Sequence, residues 1–280
     1  MWIQTRDFTS GQLERFKALQ RQVYATLQEV AATLEPGITE QAVAQRMRRA
    51  LRRQGARTYF HVPVALFGER SAYPGEFGRF EALPTTRVLR DQDAVILDAA
   101  PVLDGFTIDC SYAVPRAGAD GAVFRAADAL LSRCRALILE RAEQRANMRA
   151  VAREVDAMIR AAGFENCHRK HIGCVLAHRI TRSAAGWLGS RRVWGLSPLP
   201  VGYFLVNGVR SRRSRAELTP NWNHTRQSDC AMQPGLWAVE PHVARGATGV
   251  KFEEMLVVTE ERAYYLDDDL PHRRRWSGSN

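Results

Sequence analysis

An α+β fold of two related halves is what this sequence predicts, and three observations lead to it. The order helix, helix, hairpin occurs twice along the chain; both hairpin segments read as buried strand; and each hairpin carries a pair of acidic residues. The pairs are Asp98 with Asp109 in VILDAAPVLDGFTIDCS, and Glu240 with Glu253 in LWAVEPHVARGATGVKFEEMLVV. Carboxylates are rarely buried unless a cation or another partner compensates them, so the two pairs point to one site closed on by both halves.

In the first half, Leu13, Phe16, Val23, Leu27, Val30 and Leu34 recur at helical spacing after Ser10 as N-cap, and Pro36–Gly37 ends the run. Thr39 caps a second helix through about Arg53, stopped near Gly55. Strands are expected around Tyr59 to Phe67, ahead of the first acidic hairpin. The second half repeats this order, with a helix from about Ala122 to Arg145 and another from Asn147, its N-cap, to Gly163. The match is one of element order, since no close sequence repeat is present.

Between about Gly186 and Gln233 the pattern breaks into a stretch rich in Arg, Trp, Pro, Ser and Asn. Trp187, Trp194, Tyr203, Phe204 and Trp222 require that parts of it pack. A long irregular stretch in a compact domain is usually functional or mobile. Two readings fit here, a substrate-side lid and an oligomer contact.

A chain of 280 residues with 45% hydrophobic residues is ample for a packed core, which excludes disorder for most of its length. The charged start, MWIQTRDFTSGQLERF, lacks the apolar run of a secretory signal, and no later stretch is long enough to span a bilayer. A soluble, cytoplasmic protein is expected. The five cysteines are odd in number and show no CxxC spacing, which argues for buried reduced thiols.

The net charge of +10 comes almost entirely from Arg, with Lys only at positions 17, 170 and 251. The excess is densest in Arg191–Arg192, Arg210 to Arg215 and Arg273 to Arg275, runs that read as solvated loops or tails. Nucleic acid is therefore not the expected partner.

Turn chemistry places each acidic pair on one face. If Asp104–Gly105 centres a two-residue turn, Asp98 lies opposite Ser111 and Asp109 opposite Ala100, so both carboxylates point the same way. A turn centred on Ala247–Thr248 likewise puts Glu240 and Glu253 on one face and sends Glu254 to the other. Four carboxylates exceed the needs of one mononuclear site but suit two divalent ions that share carboxylates and a water of lowered pKa. His171, between the pairs, fills a remaining position. Manganese, iron, cobalt and zinc all suit such donors.

These residues and their order resemble the pita-bread metallohydrolases: methionine aminopeptidase, aminopeptidase P, prolidase and creatinase. DAVILDAAPVLDGFTIDCS is similar to the family's first metal hairpin, GLWAVEP and GVKFEEMLVVTE to its last two ligand strands, and LEPGITEQAVAQRMRRALRRQGA to the helix pair that opens its catalytic domain. The resemblance implies a single pita-bread catalytic domain over residues 1–280, with an insertion at about 186–233 and no extra N-terminal domain. It implies a centre of two divalent metal ions held by Asp98, Asp109, His171, Glu240 and Glu253, with Asp109 and Glu253 touching both. In HIGCVLAH the seven-residue step from His171 makes His178 the substrate-side histidine, which would contact the scissile group or stabilise the tetrahedral intermediate, with Arg179 beside it at the cleft. Glu240 would relay a proton to the leaving nitrogen. A homodimer is expected by the same analogy.

Three positions depart from the family pattern: Ile172 where glycine is usual, Arg179 where glutamate is common, and Gly75 where the peptidases often have histidine. All lie on the substrate side, and His61, His224 or His242 could take the place of the missing histidine. The function implied is a dinuclear hydrolase of the aminopeptidase or Xaa-Pro dipeptidase type, cleaving an amide bond of a small peptide with metal-activated water. The alternatives are a non-peptidase enzyme acting on an amino-acid-like metabolite, by creatinase-like C–N hydrolysis or other metal chemistry, and a catalytically retired binding protein.

Overall fold

A computed structural model describes residues 2–75, 81–118, 120–171, 173–183, 195–213 and 216–278. Strand β1 (Ile3–Gln4) precedes helix α1 (Ser10–Ala31), which is capped by Thr9 rather than Ser10. The Gln12 N–H donates to the Thr9 hydroxyl at 3.2 Å and the Thr9 N–H donates to the Gln12 side chain at 2.9 Å, a reciprocal box that only the glutamine three residues on identifies. Helix α2 (Glu40–Arg53) starts from Thr39, whose hydroxyl accepts from the Ala42 N–H at 3.1 Å, and stops ahead of Gly55.

The first hairpin comprises β2 (Thr58–Phe67), β3 (Val95–Leu103), β4 (Phe106–Thr107) and β5 (Cys110–Val114). Leu103 pairs with Phe106, so Asp104–Gly105 is the two-residue turn, and its φ values of 50° and 83° give the twist that a tight hairpin needs. Helices α3 (Gly121–Glu143) and α4 (Met148–Ala161), capped by Asp120 and Asn147, open the second half. Short strands β6 (Glu165–Asn166), β7 (Val175–Arg179) and β8 (Arg182–Ser183) follow.

The stretch expected to be irregular contains helix α5 (Pro198–Arg213) and strand β9 (Asn221–Asn223), which pairs with β7 at a sheet edge. Pro198 and Pro200 fit the first turn, where an absent N–H costs nothing, but with Gly202 and Gly208 they depress helix propensity and hid this helix from a periodicity reading. Trp222 of β9 is fully buried, its indole N–H donating to the Met148 carbonyl at 2.6 Å. Trp187, Arg191, Arg192, Trp194, Ser214 and Arg215 lie outside the described residues.

The second hairpin runs through β10 (Gly235–Val239), β11 (His242–Arg245), β12 (Thr248–Lys251) and β13 (Glu254–Val258), followed by β14 (Ala263–Tyr265) and α6 (Pro271–Trp276). Its turn is Gly246–Ala247, one residue earlier than expected, with Arg245 paired to Thr248. Moving a turn by one residue moves every opposing pair by two, so the faces are unchanged.

All pairings among the named strands are antiparallel and form three sheets, in the orders β1-β8-β4-β3-β2 with β5 on β3, β14-β13-β10-β7-β9, and β12-β11-β6. Residues of α1 and α2, among them Phe16, Leu27 and Met47, pack with Val95, Leu97, Met255 and Val257, whereas Leu131, Ile138 and Val155 of α3 and α4 pack with Ile96, Leu256 and Val258. Successive residues of β3 and β13 thus enter different cores, and the two acidic hairpins stand between the helix pairs. The five cysteines form no disulfide; Cys110, Cys134 and Cys167 are buried and Cys174 and Cys230 half-buried. No helix of the described residues is long and apolar enough to cross a membrane.

Candidate metal centre

Four carboxylates converge where the hairpins meet. Asp98 lies opposite Ser111, and Asp109 immediately precedes β5 in the same register, which turns both to one face. Val239 opposes Glu254 and His242 opposes Lys251, so the register carries Glu240 across from Glu253, where the hairpin leaves one sheet for the next. Asp98, Asp109, Glu240 and Glu253 are all buried. The Tyr24 hydroxyl of α1 donates to the carbonyls of Ser111, at 3.2 Å, and of Glu253, tying the two hairpins together beneath the cluster.

Two histidines approach Asp109 from opposite sides. His61 Nε2 is 3.2 Å from Asp109 Oδ1 and 3.4 Å from Asp98 Oδ1; His178 Nε2 is 3.2 Å from Asp109 Oδ2, 3.5 Å from Glu253 Oε1 and 3.8 Å from Glu240 Oε1. Two close donor groups result, His61–Asp98–Asp109 and Asp109–His178–Glu253, with Asp109 common to both. Burial alone would lower both imidazoles, but the carboxylates reverse it, raising His61 to about 10 and His178 well above the ordinary range. Burial would raise Asp109, yet the two histidines hold it well below the usual carboxylate range. Glu253 is pushed up to about 8 by burial and then by Asp109.

His61 reaches the cluster through irregularity in β2, whose register against β3 shifts on both sides of it, next to Pro63. Such a bulge leaves no periodic trace in sequence. Lys251 is a second residue that the acidic pattern alone did not single out. Its ammonium, on a side chain only 3% exposed, lies 2.8 Å from Asp98 Oδ2, 2.7 Å from Glu240 Oε2 and 3.2 Å from Glu253 Oε2. A signal was available: Lys251 is one of three lysines in an Arg-rich chain and stands two residues before Glu253, the spacing that shares a face in extended backbone. Glu254 faces elsewhere, paired with Arg135 and, at 3.3 Å, with His272.

His171 belongs to neither close group. Its Nδ1 is 3.6 Å from Glu240 Oε2, its Nε2 is 3.4 Å from His242 Nδ1, and its ring lies 4.9 Å from that of Tyr73. Burial, then Lys251 and His242, keep its pKa well below the ordinary value, so the imidazole is neutral. His242 in turn donates from Nε2 to the Ser71 carbonyl at 2.7 Å. Arg179 follows His178 on β7 and points the other way, its guanidinium 4.0 Å over the Trp237 ring and donating to the Pro234 carbonyl. Burial lowers its pKa to about 10. Gly75 is exposed with φ of 63°, His224 sits against Arg169 at 3.1 Å, and Ile172 lies outside the described residues. Over His178 lie Phe60 and, from α5, Phe204, with ring centroids 5.4 and 5.5 Å from the imidazole.

The donor chemistry fits a divalent cation. Asp98 Oδ1 and both oxygens of Glu253 are buried acceptors with no hydrogen-bond donor, a costly state that a cation relieves. Carboxylate and imidazole donors suit manganese, iron, cobalt or zinc.

The sequence pattern of metallopeptidase family M24 matches residues 14–260, a span that holds both helix pairs apart from the first turn of α1, both hairpins and every residue of the cluster. The chain belongs to this family. Solved structures of similar fold include an X-Pro aminopeptidase from Thermotoga maritima MSB8, 17% identical with a TM-score of 0.63, covering 95% of this chain and 63% of that one. An Xaa-Pro dipeptidase from Bacillus anthracis is 17% identical with a TM-score of 0.60, covering 92% and 61%. The prolidase from Pyrococcus horikoshii OT3 is 12% identical with a TM-score of 0.64, covering 92% and 62%. At these identities the likeness is one of fold, and the family's pita-bread fold is the one described above. The chain spans about six-tenths of the length of these structures. No curated protein sequence matches the chain significantly.

Proposed function

We propose that the chain is a metal-dependent hydrolase of small peptides, of the aminopeptidase or Xaa-Pro dipeptidase type. The reading is carried by the convergence of Asp109, Glu240 and Glu253 from both halves on His178, with Asp98 and Asp109 meeting at His61, in a chain of this family. The names of the similar structures supply the Xaa-Pro direction. Asp98, Asp109, Glu253 and His61 would hold the metal, with Glu240 and His171 at its margin. A divalent ion there supplies Lewis acidity toward a carbonyl group and toward water.

The chain's own groups supply the rest. Protonated His178 offers an N–H to the negative charge that grows on the carbonyl oxygen. Glu240, with Oε1 3.8 Å from His178 Nε2, would carry a proton to the leaving nitrogen. Phe60 and Phe204 form an apolar wall beside His178, suited to a proline ring or an aliphatic side chain. A panel of dipeptides, including Xaa-Pro sequences, assayed with manganese, cobalt, iron and zinc should show cleavage that Asp109→Asn abolishes. Tight ion binding with no cleavage of any peptide would rule out the peptidase.

A second reading, C–N hydrolysis of an amino-acid-like metabolite, is favoured by Gly75 and by the outward turn of Arg179, which leave the substrate side without two polar contacts. Turnover of guanidino or ureido acids in place of dipeptides would select it.

A further inference from the structure

We infer that helix α5 carries a docking face for an anionic lipid surface, with Leu205, Val206 and Val209 entering the headgroup region and Arg210, Arg212 and Arg213 meeting the lipid phosphates.

The rotation of α5 about its axis is fixed from its inner side. Pro200 and Ser211 are buried there, Phe204 reaches His178, and the Gln227 amide donates to the Gly208 carbonyl at 3.3 Å and to the Ser211 hydroxyl at 2.9 Å. At 3.6 residues per turn, Leu205, Val206 and Val209 fall on the opposite side, and they are 67%, 51% and 51% exposed. They are half of the six large hydrophobic residues exposed among the described residues, and a fourth, Trp2, directly precedes β1, which lies against α5. Single exposed apolar residues need no explanation, but their concentration on one helix does. A helix that is apolar on both sides is normally covered on both.

Charge indicates what covers the outer side. Helix α5 contains no acidic residue, and Arg210, Arg212 and Arg213 make no ion pair among the described residues. Arg213 continues the line of Val206 and Val209, one turn further on, while Arg210 and Arg212 flank that line to either side. Arginines so placed can lay their stems along an aliphatic stripe and lift the guanidinium groups to phosphates, as interfacial helices do.

Other occupants fit less well. Nucleic acid would call for aromatic side chains on which bases stack, whereas this stripe is aliphatic. A second copy of the chain would bring three arginines against three, across a face of three aliphatic side chains that is far smaller than the roughly 800 Å2 per partner of a stable interface. An anionic lipid surface offers both complements at once, acyl chains for the stripe and phosphates for the arginines. Because Phe204 projects from the other side of the same helix, the docked face would back onto the apolar wall beside His178.

The test is flotation of the full chain with vesicles of phosphatidylcholine alone or with about one-third phosphatidylglycerol, at about 0.1 M and about 0.5 M salt. Wild type should float with the anionic vesicles, less at the higher salt, and far less with the neutral ones. Replacing Arg210, Arg212 and Arg213 together by Gln should weaken binding to anionic vesicles about a hundredfold, and Leu205→Ser with Val209→Ser about tenfold or more. Both variants change exposed side chains, so their circular dichroism should match that of wild type. Binding that the arginine variant loses and the serine variant keeps would be the general attraction of a chain of charge +10, and overturns the proposal. A wild type that floats with neither kind of vesicle overturns it as well. So does a dimer in sedimentation that Leu205→Ser with Val209→Ser splits while vesicles go unbound, which gives the face to a second copy.

Discussion

Arg135 of α3 forks onto Glu254, with Nη2 3.0 Å from Oε2 and Nε on Oε1, while the adjacent Glu253 faces the cluster. Neighbouring glutamates thus divide two tasks, one tying a helix to the sheet and one serving the site. Glu254 is fully buried, and besides Arg135 it contacts His272 at 3.3 Å, an imidazole whose pKa burial lowers. Arg135→Ala strands that carboxylate and should cost about 3–5 kcal/mol of stability in urea unfolding. Replacing both partners, Arg135→Met with Glu254→Met, should cost much less. Equal losses in the single and double variants would show that the pair does not hold the helix in place.

Asp109 is common to both donor groups. Asp109→Asn keeps the shape and removes the charge, so ion binding should fall below detection by calorimetry and kcat by about a hundredfold or more, with the circular dichroism spectrum unchanged. Undiminished ion binding would move the centre away from this residue.

Phe204 reaches His178 from α5, and the ring of Phe60 is 4.7 Å from it. If these rings wall the substrate pocket, Phe204→Ala should raise KM for Xaa-Pro dipeptides about tenfold with kcat little altered. A KM unchanged for every peptide would make the contact one of packing alone.

Asp267 is buried and takes Arg21 bidentately, at 2.5 and 2.8 Å, together with the Asp269 N–H at 3.0 Å. Burial alone would raise its pKa, but the hydrogen bond and charge of Arg21 lower it. A carboxyl whose folded pKa is depressed adds stability above its unfolded value, about 3.9, and that stability is lost as pH falls through the folded value. The difference in Tm between wild type and Asp267→Asn should therefore be largest near neutral pH and shrink below about pH 4. A difference independent of pH would mean that the carboxylate charge contributes nothing.

What could be read from the sequence was what periodicity and parity govern. The helix pairs follow from apolar spacing and capping residues, and the faces of Asp98, Asp109, Glu240 and Glu253 survive a misplaced turn because a one-residue error leaves parity intact. Sequence alone makes His61 no more than a replacement for the missing histidine, since a bulge beside Pro63 breaks the alternation that would place it. Helix α5 was hidden by two prolines and two glycines. Lys251 was counted with the basic excess, although its spacing from Glu253 marks it as part of the acidic face. Compensation of a buried charge is a contact between distant segments, and no local pattern encodes it.

Lys251 joins residues 153 positions apart when it binds Asp98. Four bare carboxylates would push the halves apart until an ion arrived, tying the folding of a new chain to metal supply. With the Lys251 ammonium and the His61 and His178 imidazoles already among them, the chain can close first and load afterwards, and a chelator should empty the site without opening it. Metal scarcity would then silence the protein while sparing it from degradation.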